Sequence, residues 1–336
     1  MKKGIRMNRE DNTREIIRAI GASDNFLITA HVNPEGDSVG SQLAMLALLE
    51  KLGKKAVIVN NDNVPDNLRF LPRAETVMTE LPDGFIPGAV IVLDCPVLGR
   101  TGWVSQVIKD HVIINIDHHV GNEYFGDANW VESSASSVGE MIHGLFSDLG
   151  VQPGPEEAAS MYTAIVTDTG MFNYSNTTAR THIIAAELIS RGANPQQVFS
   201  EVYEKKTQEQ VRILGKVLST LKVEEDGLVS HITLGLDMFA GERSKDVSTE
   251  EFINYARAVK GVSVAVFFKE KPESPGSINV SFRSTGNMNV NKVAAAFGGG
   301  GHKKASGCVL KGKMEDAKRL VLDEVRRVIK EEGAVS

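Results

Sequence analysis

Short apolar segments alternating with helical segments are the feature that most restricts how this chain can fold. Phe26–Ala30 and Ala56–Asn60 have the composition of strands, and the spacing of apolar residues between them predicts a helix over about 38–52. Ala89–Leu93 is an unbroken apolar segment, and Val112–Ile116 is apolar apart from Asn115; both have the length typical of buried strands. Because strands that alternate with helices form parallel sheets, the sequence predicts an α/β fold with a mostly parallel N-terminal sheet flanked by helices.

The C-terminal part of the chain has a different pattern. Two alternating segments around the Asp226-Gly227 turn predict a hairpin, and Val262–Phe268 and Ser277–Phe282 predict two further strands, followed by a short helix over Val290–Phe297. A long pattern from Pro195 to Leu221, polar on one face, predicts a helix that joins two domains. The expected organisation is an α/β domain over 1–195, a helical linker over 196–215 and a smaller α/β domain over 216–336.

Composition and charge narrow the class of protein. The net charge of −6 argues against a protein that coats nucleic acid, although it does not exclude an enzyme acting on nucleotides. Cys95 and Cys308 lie far apart and form neither a zinc knuckle nor a disulfide framework, so a reducing cytoplasm is expected. No apolar segment approaches the ~18 residues that a membrane helix needs, and the N-terminus lacks the apolar segment of a secretory signal. Neither membrane insertion nor secretion is expected.

Carboxylate and imidazole side chains follow several of the predicted elements at the point where each element ends. The side chains concerned are His31, Glu35, Asp37, Asp94, Asp117, His118, His119 and Asp168. Ligand sites of open α/β sheets lie at the carboxyl ends of the strands, so these groups are expected to meet. Carboxylates and imidazoles without thiolates suit Mn²⁺, Co²⁺ or Mg²⁺ better than structural zinc. The sequence therefore predicts a site for a pair of divalent metal ions.

Several of these residues also have a purely structural explanation. Asp37 could cap the helix that follows it, Asp94 could cap a turn, and adjacent histidines in a surface loop are usually solvated and inert. Capping explains one residue of the strand-to-helix turn, but it leaves His31 and Glu35 unexplained. Asp168 near a helix C-terminus opposes the helix dipole, which favours a functional role.

A run of four glycines precedes three basic residues in the C-terminal part. The segment comprises Gly298, Gly299, Gly300, Gly301, His302, Lys303 and Lys304. Each glycine costs backbone entropy on folding, so the run is not expected to be a packing choice. Successive backbone N–H groups can instead line an anion such as a phosphate, with a flexible tether as the alternative. Arg283, at the end of a predicted strand, is a candidate for a second contact to a phosphate or a base.

Taken together, these motifs resemble the DHH phosphoesterase superfamily. Asp117-His118-His119 is the signature of that superfamily, and the other motifs match in order: His31-x-x-x-Glu35-x-Asp37, Asp94 after a strand, and Asp168 in Thr167-Asp168-Thr169-Gly170. The glycine run, with Arg283 before it, resembles the DHH-associated C-terminal domain. The resemblance covers nearly the whole chain.

The resemblance implies a site for two metal ions, usually manganese, with magnesium or cobalt as alternatives. The implied ligands are His31, Glu35 and Asp94 for one ion, and Asp37, Asp94, His118 and Asp168 for the other. His119 would face the substrate, and Asp117 would orient its neighbours. Glu35 departs from the aspartate that is commonest at this place in the family, which implies an altered geometry at the first ion. The implied substrate-binding residues are Arg283, Gly299, Gly300, Gly301 and His302.

Within the superfamily, the two-domain length resembles the NrnA group, which comprises oligoribonucleases that also dephosphorylate 3′-phosphoadenosine 5′-phosphate (pAp). This resemblance implies an enzyme that hydrolyses short RNA or pAp in a cleft between its two domains, and homodimers are common in the group. A soluble phosphodiesterase of linear or cyclic dinucleotides (pGpG, pApA or c-di-AMP) is the alternative. A family II pyrophosphatase, a RecJ-type exonuclease and a non-catalytic nucleotide-binding module fit the motifs or the length less well.

Overall fold

The chain separates into two units, Met1–Lys205 and Lys206–Ser336. The computed structural model describes residues 9–224, 227–239, 249, 251–271 and 274–333. Each unit has its own sheet and its own apolar core. The predicted α/β class is confirmed, with a six-stranded parallel sheet in the first unit and a second six-stranded sheet in the other.

The first sheet places the ends of its central strands side by side. Its strands are β1 (Asn25–Thr29), β2 (Lys55–Val59), β3 (Val77–Met78), β4 (Ala89–Leu93), β5 (Ile113–Asp117) and β6 (Ala128–Val131). They lie in the order β3-β2-β1-β4-β5-β6, so the chain moves outward from β1 to β3, returns to β4 beside β1, and then moves outward the other way. Such a reversal opens a crevice at the carboxyl ends of the strands, where open α/β sheets bind ligands.

Close packing between helices brings the start of one helix and the end of another to the carboxyl ends of these strands. The helices of the first unit are α1 (Arg9–Gly21), α2 (Gly36–Lys51), α3 (Val104–Ile108), α4 (Val138–Asp148), α5 (Pro155–Asp168), α6 (Ala179–Ser190) and α7 (Pro195–Phe199). A Cβ on Gly36 would lie 2.3 Å from Thr167 Oγ1, and a Cβ on Gly40 would lie 2.3 Å from the Ser160 carbonyl oxygen. Only glycine therefore lets the start of α2 approach the end of α5 this closely.

The first unit contains a strand that the sequence analysis did not predict, and the helix predicted at its boundary is wrong. β6 pairs in parallel with β5, and its Trp130 is fully buried. With only four residues, β6 is too short to show a clear alternation. The single helix expected over 195–221 is broken into α7, a π-helical turn over Ser200–Glu204, and α8 (Gln208–Leu218). Thr207 accepts a hydrogen bond from the Gln210 N–H at 3.1 Å, so a capping box starts a new helix there.

The second unit is built on a mixed sheet with helices on both faces. After α8 come β7 (Lys222–Glu224), β8 (Val229–Leu234), α9 (Phe252–Arg257), β9 (Val264–Lys271), β10 (Ser274–Ser284), α10 (Val290–Ala296), β11 (Gly300–Gly301), β12 (Ala305–Lys311) and α11 (Met314–Gly333). The strand order is β11-β12-β10-β9-β8-β7, and β8 and β9 run parallel. The predicted hairpin is present as the antiparallel pair β7 and β8, although Asp226 of its turn lies outside the described residues.

The apolar residues of this sheet alternate between two cores. Ile232 and Phe267 pack in one cluster with α8 and α9, whereas Phe268 and Val280 pack in another with α10 and α11. Successive strand residues face opposite sides, which explains why adjacent phenylalanines in β9 belong to different clusters. Within the described part of the chain, no helix combines the length and the apolar character needed to cross a bilayer.

Candidate metal centre

Three neighbouring strands of the first sheet end in candidate metal ligands. His31 lies two residues after β1, Asp94 directly follows β4, and His118 directly follows β5. Parallel pairing of β1 with β4 and of β4 with β5 sets these ends next to one another. Asp94 has a left-handed φ of 51°, so the chain turns sharply as soon as β4 ends.

Asp37 enters the site from the first turn of α2 and binds the N-terminus of α4. Its Oδ2 accepts the Val138 N–H at 2.8 Å, and its Oδ1 accepts the Gly139 N–H at 2.9 Å and the Ser41 hydroxyl at 3.0 Å. The interpretation that Asp37 only caps its own helix is therefore wrong, because its backbone partners belong to α4. A carboxylate at a helix N-terminus is favoured by the helix dipole, which fixes Asp37 in place.

His31, Glu35 and Asp94 form the first group of candidate ligands. His31 Nε2 lies 3.4 Å from Asp94 Oδ2 and 3.8 Å from Glu35 Oε1. His31 Nδ1 lies 2.7 Å from the Val32 carbonyl oxygen and donates to it, so the neutral ring presents a lone pair at Nε2. Asp94 Oδ2 is buried, and no described residue makes a good hydrogen bond to it. A lone pair and a carboxylate oxygen that face each other at 3.4 Å fit a shared cation.

Asp37, His118 and Asp168 form the second group. His118 Nε2 lies 3.8 Å from Asp37 Oδ2 and 3.7 Å from Asp168 Oδ2, while its Nδ1 lies 3.3 Å from the Ala135 carbonyl oxygen. Asp94 joins the two groups, because its Oδ1 lies 3.7 Å from His118 Nε2. Within each group, the nearest ligand atoms all lie within 4.8 Å of one another. The structure thus brings together all six predicted ligands, and their roles as ligands stay a prediction.

The pKa shifts of these groups indicate that carboxylates outnumber cationic groups within the cluster. Burial raises the pKa of Asp37 well above its usual range, with Asp94 and Asp168 raising it further, and burial raises the pKa of Asp168 to about 7. Burial lowers the pKa of His31 and of His118, but nearby carboxylates outweigh this effect and raise both to about 9. Burial also acts to raise the pKa of Asp94, but the surrounding histidines hold it at about 2. The cluster therefore favours bound positive charge, which protons or metal ions can supply.

His119 lies beside the centre in a different arrangement. Its Nδ1 is 2.7 Å from Asp117 Oδ1 and 3.5 Å from Asp94 Oδ1. Asp94, His118 and His119 also lie close enough to hold an ion. A ring nitrogen that donates a proton to Asp117 has no lone pair for a metal, so Nδ1 of His119 could bind an ion only by giving up its bond to Asp117. The geometry is consistent with the predicted role of Asp117 in orienting its neighbour.

Two residues that the sequence analysis did not single out support the second group. Asn176 Nδ2 lies 3.2 Å from Asp168 Oδ2, 3.1 Å from the Asp168 carbonyl oxygen and 2.8 Å from the Ser136 carbonyl oxygen. Glu140, which is buried, accepts the Ser136 hydroxyl at 2.7 Å. Asn176 lies eight residues after Asp168 in an irregular segment, where no periodic pattern marks it. The charge of Glu140 inside the apolar pattern of α4 was the one available signal.

The second unit brings the predicted substrate-binding residues onto neighbouring strands. Arg283 lies in β10 opposite Ala305 of β12, and β12 pairs on its other side with β11, which consists of Gly300 and Gly301. His302 follows β11, and its backbone N–H donates to the Ala305 carbonyl oxygen at 2.7 Å. Arg283 and the glycine segment therefore lie on either side of one strand.

The expectation that packing plays no part in the glycine run is wrong. A Cβ on Gly299 would lie 2.2 Å from the Gly307 carbonyl oxygen, and a Cβ on Gly301 would lie 2.6 Å from the Ala305 carbonyl oxygen. Gly298 and Gly301 also have positive φ values of 72° and 139°. The run thus lets the backbone approach β12 closely, and its role in binding an anion stays a prediction.

Comparisons with known proteins cover both units. Residues 25–165 match the model of the DHH family, N-terminal domain, and residues 235–331 match the model of the DHHA1 domain. Over 324 residues the chain is 35% identical to the bifunctional oligoribonuclease and PAP phosphatase NrnA of Thermus thermophilus, covering 95% of this chain and 94% of that protein. The protein of the same name from Bacillus subtilis is 29% identical over 313 residues, with 92% of this chain and 96% of that protein covered.

A solved structure shares the same fold. The crystal structure of an exopolyphosphatase-related protein from Bacteroides fragilis superposes with a TM-score of 0.86 at 27% sequence identity. The match covers 95% of this chain and 96% of that one, so the similarity extends over both units.

Proposed function

This chain belongs to the DHH family, and on that premise we propose that it is a metal-dependent phosphoesterase that hydrolyses short oligoribonucleotides and pAp. The observation that carries the proposal is the position of Asp94, whose two oxygens face His31 at 3.4 Å and His118 at 3.7 Å. A carboxylate placed between two ligand groups is what a pair of bridged ions requires. The 35% identity to a relative named for both activities supports the substrate class.

The proposed centre holds two divalent ions, with Mn²⁺ as the first candidate and Mg²⁺ or Co²⁺ as alternatives. The proposed ligands are His31, Glu35 and Asp94 for one ion, and Asp37, Asp94, His118 and Asp168 for the other. When bound, two such ions activate water and stabilise the attacking and leaving oxygens of phosphoryl transfer. Glu35 is half-exposed and one methylene longer than aspartate, so we expect it to be the most adaptable of these ligands.

His119 is proposed to act on the substrate. Its Nδ1 donates to Asp117, so in the neutral ring Nε2 is the nitrogen that carries the lone pair. When the ring is protonated, Nε2–H can stabilise charge on the phosphoryl group or give its proton to the leaving oxygen. Asp117 has no exposed surface, and it would keep the ring oriented through both states.

Arg283, Gly299, Gly300, Gly301 and His302 are proposed to bind the substrate. A guanidinium forms paired, charge-assisted hydrogen bonds to phosphate oxygens, and backbone N–H groups at a glycine segment can add to them. The close pairing of β10, β12 and β11 supports this proposal, because it keeps Arg283 one strand away from the glycines. Apart from His302, these residues have no side chain that typically binds a metal, so we expect them to determine the affinity for the substrate and the choice between substrates.

The test is a direct assay of the purified chain with Mn²⁺ against four substrates: pAp, a 5′-phosphorylated RNA dinucleotide, a cyclic dinucleotide and pyrophosphate. We expect AMP from pAp and mononucleotides from the RNA dinucleotide. Both activities should disappear with a chelator and return when excess Mn²⁺ is added.

Other product patterns would contradict the proposal in different ways. Cleavage of the cyclic dinucleotide alone would move the assignment to a dinucleotide phosphodiesterase. Release of phosphate from pyrophosphate alone would move it to a pyrophosphatase. A chain that binds Mn²⁺ and leaves all four substrates intact would refute the proposed activity.

A further inference from the structure

Two buried amide side chains lie behind the candidate metal centre. Asn115 is fully buried in β5, and Asn122 is 9% exposed in the loop after it. Asn115 Nδ2 donates to the carbonyl oxygens of Val92 and Cys95, both at 3.2 Å. Asn122 Nδ2 donates to Asn115 Oδ1 at 2.8 Å and to Asp117 Oδ2 at 2.6 Å. Every amide hydrogen of both side chains is therefore in use.

The backbone fixes which way the Asn122 amide points. Its Oδ1 accepts the Tyr124 N–H at 2.7 Å, so Nδ2 must face Asn115 and Asp117. The loop that carries it is tied down at two more places: the Asn122 N–H donates to the His119 carbonyl oxygen at 3.3 Å, and the Glu123 N–H donates to the Pro96 carbonyl oxygen at 2.9 Å. The amide is thus a donor held in a single orientation.

One end of this network holds the turn that carries Asp94. Val92 and Cys95, whose carbonyl oxygens Asn115 binds, lie on either side of Asp94 in the sequence. The left-handed φ of Asp94 is strained for an L residue, so the turn persists only where its surroundings fix it. Asn115 supplies that restraint from the neighbouring strand.

The other end of the network holds His119. Asn122 binds Asp117 Oδ2, and this leaves Asp117 Oδ1 to accept the proton of His119 Nδ1 at 2.7 Å. A carboxylate held in this way keeps the proton on Nδ1 and so selects one tautomer of the neutral ring. Turning the Asp117 carboxylate would remove that selection.

We propose that Asn115 and Asn122 are positioning residues that couple the turn at Asp94 to the tautomer and orientation of His119. The proposal rests on the proposed function, because it assumes that His119 acts on the substrate. Since the network is fully hydrogen-bonded, deleting one amide leaves buried acceptors without their donors, and the carboxylate of Asp117 becomes free to turn.

Asn122→Ala tests the proposal, with Asn129→Ala as the matched control. Asn129 lies in β6 and exchanges two hydrogen bonds with the Gly126 backbone, at 2.7 and 3.0 Å, outside the metal centre. Both variants would be assayed with pAp and Mn²⁺, and their histidine tautomers would be measured by NMR on ¹⁵N-histidine protein loaded with diamagnetic Mg²⁺. A His119→Asn sample identifies the signal of His119.

For Asn122→Ala we expect kcat to fall about 10–100-fold with KM within about twofold, and the His119 signal to lose its Nδ1-protonated character. Asn129→Ala should keep the wild-type kcat and the wild-type His119 signal. An Asn122→Ala enzyme that matches Asn129→Ala in both measurements would overturn the proposal. If Asn122→Ala does not fold, Asn122→Ser is judged by the same two criteria. Inactivity of the wild type would overturn the proposed function, yet the His119 signal would still decide whether Asn122 positions the ring.

Discussion

The two sets of predicted site residues differ in how firmly the fold holds them. In the first unit, Asp37 and Asp94 are each 1% exposed and His118 is 8% exposed, at the ends of strands and helices packed on both sides of the sheet. In the second unit, Gly300, Gly301 and His302 are exposed, and β11 is the edge strand of its sheet. Most of the first set is embedded in a core, with Glu35 half-exposed at its edge, and the glycine segment of the second set lies on a margin.

Under the proposed function, this difference would separate two tasks. Chemistry that depends on charge needs groups fixed within fractions of an ångström, and burial among packed elements provides this. Recognition of substrates that differ in length or base would tolerate an exposed segment, because it would rely on the backbone N–H groups of the glycine segment and on one guanidinium. Substitutions in the first unit should therefore change kcat or metal affinity, whereas substitutions in the second should change KM.

The largest effect is expected from Asp94→Asn. The amide keeps the size of the side chain but loses the charge that faces both ligand groups, so hydrolysis should fall at least about a thousandfold, which corresponds to several kcal/mol. Asp127→Asn is the control, because Asp127 lies before β6, outside the candidate ligand groups, and accepts a structural bond from the Ile113 N–H at 2.9 Å. Initial rates with pAp and the metal content of both variants would be measured. An Asp94→Asn enzyme with wild-type activity would refute the two-ion assignment.

A smaller effect is expected from Asn176→Ala. This change removes the donor to Asp168 Oδ2, and loss of such support typically costs about 10–100-fold in metal affinity. Asn194→Ala serves as the control, because Asn194 only caps α7 through the Gln197 N–H at 3.1 Å. Titration of Mn²⁺ into the metal-free proteins would measure both affinities. Equal affinities for the two variants would show that Asp168 needs no support from Asn176.

Arg283→Ala tests the other half of the comparison. Loss of a charge-assisted contact to phosphate should raise KM for pAp roughly tenfold and leave kcat nearly unchanged. Arg319→Ala is the control, since Arg319 is an exposed arginine on α11 paired with Asp316 at 3.3 Å. If Arg283→Ala lowered kcat instead, the division between chemistry and recognition would break down.

The sequence predicted most of the fold and which residues meet at the candidate metal centre, because both depend on local patterns. An unbroken apolar segment marked β4 and a nearly unbroken one marked β5, and a carboxylate or histidine directly after such a strand has no packing reason to be there. The sequence did not predict the roles of the buried amide residues behind the site. Asn115 lies inside an apolar segment, and its partners Val92 and Cys95 come from another strand, so its role emerges only from the pairing of β4 with β5.

For the glycine run, the sequence analysis did not miss a feature but gave a visible one an incomplete explanation. Its composition indicated a nest for an anion, but the close approach of Gly299 and Gly301 to β12 depends on a strand that the sequence analysis did not identify. A local sequence pattern indicates which conformations and close contacts a backbone segment can adopt. Which of them the segment adopts depends on residues that are distant in the sequence.

The smallest expected effect is a dependence of stability on pH that metal removes. In the protein freed of metal by a chelator, the folded-state pKa of Asp168 is raised to about 7 and those of His31 and His118 to about 9. Because all three are raised above their unfolded values, the folded state binds more protons, and its stability is lost as pH rises. The contribution of Asp168 is lost as pH rises through about 7, and the contributions of the histidines are lost between their ordinary pKa and about 9.

We therefore expect the melting temperature of the metal-free protein to fall as pH rises from 6.5 to 9, by roughly 2–4 °C for each kcal/mol of unfolding free energy lost. Bound Mn²⁺ takes the place of these protons and should flatten the curve. Asp94→Asn is the control, because it should weaken the response to Mn²⁺ without altering the apolar core. Equal pH slopes with and without Mn²⁺ in the wild type would mean that the buried charges of the first unit are not what the metal neutralises. The contrast between a fixed, charged centre and an exposed binding margin would then lose its electrostatic basis.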